Sequence, residues 1–205
     1  MLAKLSKDDV AFTKLLVFVN ACVPLTMLGF DLASGRAGAN PLEYVTHATG
    51  VLALVFLCLS LAVTPLRRVS SWQWLAVHRR TFGLFGFFYA CLHLVAYWWF
   101  DKAFDIPAVV QDTIKRPFIL VGMATFVLLV PLAVTSTDAM IKRLGGKQWR
   151  ALHRLAYVTA LGGALHYFML VKADTRIPIA FFSVIGALLA YRVFDTFVRP
   201  RLTAR

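Results

Sequence analysis

Six stretches of this chain are almost uninterrupted in their apolar character: roughly 14–31, 44–64, 81–100, 118–136, 154–171 and 177–194. A helix needs about 20 mostly apolar residues to cross a hydrocarbon core, with a tolerated range of about 17–25. The first, fourth and fifth stretches lie near the short limit and are expected to borrow a turn from their flanks. None alternates residue by residue, and all are too long for barrel strands. The pattern predicts an all-α integral membrane protein: a bundle of six transmembrane helices, one domain over 1–205, with no obvious tandem repeat.

The polar intervals carry ordinary turn chemistry. "DLASGRAGANP" (31–41) reads as an outer turn, with Pro41 placed to open the next helix. "TPLRRVSSWQW" (64–74) reads as an inner return whose Trp72 and Trp74 suit an interfacial belt. "DKAFDIPAVVQDTIKRP" (101–117) is the longest outer loop, with enough apolar residues for a short surface helix, and "STDAMIKRLGGKQW" (136–149) is a second inner loop. No Gly-rich strand–turn–helix unit follows the sixth stretch, so no nicotinamide or flavin dehydrogenase domain is expected. The electron donor and any substrate-converting centre are then other molecules, and no residue is assigned a catalytic role.

Composition agrees with the pattern. Of the 205 residues 60% are hydrophobic and 16% charged, with mean hydropathy +0.71, against about 45–50% and about 25% in soluble domains. The formal charge of +12 would by itself suit nucleic acid. Its placement argues otherwise, because the cations are divided among helix ends rather than gathered on one patch. Sixteen of the 22 fall on one side: Lys4, Lys7, Lys14, Arg67, Arg68, Arg79, Arg80, Lys142, Arg143, Lys147, Arg150, Arg154, Arg192, Arg199, Arg201 and Arg205. Arg36, Lys102, Lys115, Arg116, Lys172 and Arg176 fall on the other. Lys and Arg accumulate on the cytoplasmic side, so both termini are expected in the cytoplasm. Cys22, Cys58 and Cys91 all lie within predicted spans and form no CxxC or CxxCH pattern, which suits small apolar fillers. The first apolar run lacks a small-x-small cleavage site and is broken by Asn20 and Pro24, so it reads as an uncleaved helix.

Against this background the histidines stand out. Ionisable groups inside spans are costly and mark functional sites by default. With both termini inside, the third and fifth spans run in the same direction. His93 and His166 then lie at depths matched to within roughly 3 Å. Two imidazoles at one level on parallel helices can hold a haem iron from both faces, the six-coordinate arrangement of electron-transfer haems. His153 lies about 20 Å along the axis from His166, with His78 or Arg79 at the corresponding end of the third span. A second haem there would give an electron two stepping stones. Phase at about 100° per residue brings Arg79 within about 40° of His93 and leaves His78 about 60° off. His153 and His166 fall about 140° apart on a straight helix, an objection that over-winding or a kink at Gly162–Gly163 would remove. An embedded histidine can also simply hydrogen-bond a neighbouring helix. His153 beside Arg150 and Arg154, and His78 among charges, equally suit headgroup level. His47, near the outer end of the second span, is a candidate for a haem propionate or a quinone. Arg79, Arg80 and Arg116 are candidates for propionates or plain snorkelling cations. The aromatic run "FGLFGFFYA" would line a porphyrin or pack the bundle.

The blocks "NPLEYVTHATG", "HRRTFGLFGFFYACLHL", "KRPFILVG", "PLAVTST", "RLGGKQWRALHRLAYV" and "HYFMLVK" occur in that order. Together they resemble the MsrQ (YedZ) family of the ferric-reductase-like transmembrane group over nearly the whole chain. The resemblance implies a haem b subunit of the bacterial inner membrane in a system repairing methionine sulfoxide in periplasmic proteins. Such a subunit passes electrons from membrane quinone, with bound FMN, to a periplasmic molybdopterin reductase, MsrP. It also implies haem ligation by His93, His153 and His166. The wider group has two histidines on each of two helices, and here the fourth position falls on Arg79, with His78 displaced by one. The alternatives within and outside this class are a haem subunit of a metal reductase, and a haem-free small transporter or structural anchor.

Overall fold

The computed structural model describes residues 6–198, and among these the chain forms nine α-helices and no strand. The inner-side cations Lys4, Arg199, Arg201 and Arg205 lie outside the described residues. Five described segments are long and apolar enough to cross a membrane: Asp8–Ala33, Pro41–Val69, Gln73–Asp101, Pro117–Val134 and Arg176–Phe197. The chain is therefore a multi-pass membrane protein.

Helix α1 runs from Lys7 to Ala33, two turns earlier than the apolar run begins. A capping box explains the early start. The Ser6 hydroxyl oxygen accepts from the Asp9 amide at 3.0 Å, and the Asp9 carboxylate accepts from the Ser6 amide at 2.9 Å. Such a cap is worth about 1 kcal/mol. Helix α2, Pro41–Val69, opens on the expected proline but runs through Pro65 rather than ending before it. Membrane helices tolerate an internal proline because neighbouring groups re-satisfy the freed backbone. The inner return is thus confined to Ser70–Trp72, where Ser71 takes φ 60°. A 3₁₀ turn, Gln73–His78, leads into α3, Arg79–Ala96, and a wide turn, Tyr97–Asp101, follows it.

The outer loop contains the expected short helix, α4, Ile106–Lys115. Next comes α5, Pro117–Val134, opened by Pro117. The second inner loop is not irregular. It folds as α6, Asp138–Leu144, and α7, Gly146–Leu152, hinged at Gly145 with φ 74°. The fifth expected span appears as α8, Leu155–Leu170, whose 16 residues reach about 24 Å against a core of about 30 Å. Helix α9 is Arg176–Val193.

The chain divides into two compact units. Unit 1 holds residues up to Ser60 together with Trp74–Lys115. Its core is Ala21, Ala53, Phe56, Phe85 and Tyr89. Phe56 stacks on both Phe85 and Tyr89 at 5.5 Å between ring centres, and the Tyr89 hydroxyl donates to the Ala21 carbonyl at 2.6 Å. The buried half of the aromatic run therefore packs helices rather than waiting for a porphyrin. Unit 2 holds Leu61–Gln73 and everything from Arg116 onward. Its most extensive packing is α5 on α8, with α8 also on α9. Lipid chains remove most of the hydrophobic drive between membrane helices, so close approach relies on small residues. Here Gly162 on α8 meets Thr125 of α5, and Ala160, Ala164 and Ile185 are fully enclosed. Arg68 and Asp195 form an ion pair within this unit. Cys22, Cys58 and Cys91 are unpaired, as filler roles require.

Candidate functional site

In unit 1, α3 carries His93 one turn before its end, half-buried against α2. Its Nδ1–H donates to the carbonyl of Thr46 at 2.8 Å. A carbonyl oxygen only accepts, so the proton sits on Nδ1 and the lone pair on Nε2. In unit 2, α8 carries His166, also half-buried, and its Nδ1–H donates to the carbonyl of Phe118 on α5 at 2.7 Å. The two residues expected at matched depth thus share one chemistry. Each imidazole is oriented by a helical carbonyl that takes the Nδ1 proton, the arrangement in which Nε2 is the ligating nitrogen. That is the tautomer and support found around histidine ligands generally.

His153 differs. It sits at the break between α7 and α8, stacked on Trp149 at 3.9 Å. Trp149 Nε1–H donates to the Thr135 carbonyl at 2.9 Å. The Thr135 hydroxyl donates to the Pro131 carbonyl at 2.6 Å, so its oxygen accepts from His153 Nε2–H at 3.1 Å. His153 therefore shows the opposite tautomer. The break also removes the phase objection, since His153 and His166 do not share one straight helix. The helix break falls at His153–Arg154 rather than at Gly162–Gly163, through which α8 continues.

His78 closes the 3₁₀ turn and caps α3. It is fully enclosed, and neither ring nitrogen has a hydrogen-bond partner or contact with water. Trp74 meets it edge-on at 5.8 Å and Phe82 lies at 6.4 Å. Arg79 is half-buried, and its carbonyl accepts from Ser60 at 3.1 Å, while Arg80 is exposed. His47 is exposed on α2 and lines a cavity of about 390 Å³ with Asn40, Glu43, Tyr44 and Ala48. Tyr44 on that wall donates to Asp31 at 2.7 Å, and the Asn40 amide to Glu43 at 3.0 Å.

A repeat that was not obvious in the linear sequence emerges from these positions. "LAVT" occurs at 61–64 and again at 132–135, while "QWLAVHR" at 73–79 recurs as "QWRALHR" at 148–154. Each precedes a long helix bearing the next histidine, His93 or His166. Unequal spacing, 15 positions in one half and 13 in the other, hides the correspondence. It pairs His78 with His153, each with a tryptophan four residues before it.

Known proteins share this sequence. Residues 49–164 match the family described as "Ferric reductase like transmembrane component". A Herminiimonas arsenicoxydans protein named "Protein-methionine-sulfoxide reductase heme-binding subunit MsrQ" is 49% identical over 191 residues, covering 92% of this chain and 88% of its own. A protein of the same name from Rhodospirillum rubrum is 47% identical over 199 residues, 97% of this chain and 95% of its own. One from Xanthomonas euvesicatoria pv. vesicatoria is 38% identical over 210 residues, all of this chain and 95% of its own.

Proposed function

The chain belongs to the MsrQ family of haem-binding subunits of protein-methionine-sulfoxide reductase, and from that premise we propose that it carries electrons from membrane quinol to a periplasmic molybdopterin reductase, MsrP. The observation that carries the reading is the shared state of His93 and His166. Both are half-buried, and both donate Nδ1–H to a helical carbonyl. This donor set fits a b-type haem. His93 and His166 are each proposed as a haem ligand through Nε2, and the bound haem would supply reversible one-electron transfer. The carbonyls of Thr46 and Phe118 keep the imidazoles in the ligating tautomer, and the apolar residues around them exclude water. His153 is the candidate at the inner level, where ligation through Nε2 requires release of Thr135.

We assign the quinol headgroup to the cavity beside His47. Glu43 on its wall disfavours phosphates and propionates, which speaks for an uncharged occupant. The cavity suits a neutral diol, with Glu43 and His47 receiving the two protons released as two electrons leave.

Redox spectroscopy with pyridine-haem quantification tests the assignment. His93→Ala and His166→Ala are expected to lose the low-spin haem, whereas His47→Ala keeps its haem but is reduced more slowly by quinol. Full low-spin haem in both ligand variants would sink the ligation. Reduction of vesicles by a cytosolic flavoenzyme but not by quinol would favour a metal-reductase subunit instead.

A further inference from the structure

Both candidate ligands rest on a helix where a side chain would ordinarily project. In an α-helix the carbonyl of residue i pairs with the amide of residue i+4, and every Cα–Cβ bond tilts toward the N-terminus. The Cβ of residue i+4 therefore leans over carbonyl i. An imidazole bonding that carbonyl from the neighbouring helix meets this Cβ head-on. At Thr46 the residue four positions later is Gly50, and at Phe118 it is Gly122.

The distances show what the missing atoms allow. A Cβ on Gly50 would stand 2.9 Å from Nδ1 and 3.1 Å from Cε1 of His93. A Cβ on Gly122 would stand 2.8 Å and 2.9 Å from the same atoms of His166. Carbon contacts are comfortable at about 3.5–4.0 Å, so each ring would have to withdraw by roughly 0.5–1 Å. Withdrawal stretches the bonds at 2.8 and 2.7 Å that fix the tautomer. Helical glycine costs about 1 kcal/mol relative to alanine, so both positions run against local preference. Gly29 and Gly186, also helical, have nothing within 4 Å of such a Cβ.

Resting on the reading that His93 and His166 hold haem, we propose that Gly50 and Gly122 are positioning residues. Their bare Cα atoms form two equivalent cradles that let each imidazole lie against the helix and bond its carbonyl. The cradle sets ring plane and tautomer, and through the Nδ1–H bond the donor strength of Nε2. The device occurs once in each unit, with the same carbonyl–glycine–histidine relation.

The test compares full-length Gly50→Ala, Gly122→Ala and Gly186→Ala. Loss of a ligand's support typically weakens metal binding by 10–100-fold. The first two variants are expected to retain haem about tenfold less tightly and to shift both the low-spin resonance signal and the midpoint potential. Gly186→Ala is expected to match wild type. Well-folded Gly50→Ala and Gly122→Ala with wild-type signal, potential and retention would overturn the proposal. Where a glycine variant fails to fold, the doubles Gly50→Ala/His93→Ala and Gly122→Ala/His166→Ala decide. Recovery of the thermal midpoint of the histidine single supports the cradle, and no recovery overturns it. A colourless wild type would end the haem reading instead, while the same thermal cycle would still decide the cradle.

Discussion

At His78 the chain buries an imidazole whose two nitrogens bond nothing. An unsatisfied buried polar atom costs about 1–3 kcal/mol, whereas an apolar group of similar shape avoids that penalty. His78→Leu is therefore expected to raise the thermal midpoint in detergent, by roughly 1 kcal/mol of stability, and to leave haem content unchanged. Haem falling toward half in that variant would instead make His78 a ligand, as its repeat relation to His153 suggests. The sequence made every histidine visible but not its state. That His93 and His166 lie at one depth is an expectation from spacing. The bonds to Thr46 and Phe118 could not be expected in that way, because they depend on which carbonyl of which helix faces the ring. The same gap hid Thr135, whose hydroxyl sets the opposite tautomer on His153.

At the scale of elements, apolar length found the helices, and local chemistry moved their ends. Ser6 and Asp9 start α1 early, α2 passes through Pro65, and Gly145 divides an expected loop into two helices. Gly162 looked like a weak point of α8 but is a contact with Thr125, a distinction that only the partner helix reveals. The most dependent element is α4, whose Ile106, Val110 and Ile114 are all exposed. It is tied by Asp112, which pairs with Lys102 at 2.6 Å and accepts from the Tyr97 hydroxyl at 3.2 Å, while Asp101 meets Lys102 at 3.0 Å. A pair of this kind contributes up to about 1 kcal/mol. Lys102→Met is expected to speed amide exchange across 106–115 about fivefold. The carboxylates, Asp112 before Asp101, hold the Lys102 ammonium above its ordinary 10.5. The tie is thus complete below 10.5 and is lost as pH rises through the higher folded-state value. Tryptophan emission followed from neutral to strongly alkaline pH should change in wild type but not in Lys102→Met, and the same change in both would refute the tie.

For the whole molecule, direction of electron flow depends on which face meets the periplasm, and the cations carry that information. Charges do not all weigh equally, since short loops within about 15–20 residues of span ends dominate orientation. On the side expected inside, Lys142, Arg143, Lys147, Arg150 and Arg154 crowd α6 to the start of α8, while the 101–117 loop, expected outside, pairs Lys102 with Asp101 and Asp112. Arg176 is similarly paired with Asp174, whose carboxyl it holds below the ordinary carboxylate range. Lys and Arg set the orientation and acidic residues weigh little, and the loop expected inside carries the larger number of cations. In a cysteine-free background, Lys115→Cys and Asp174→Cys should react with a membrane-impermeant maleimide in spheroplasts. Lys147→Cys should react only after lysis. The reverse pattern would put His93 and His166 near the cytoplasmic face, from which no periplasmic reductase could draw electrons.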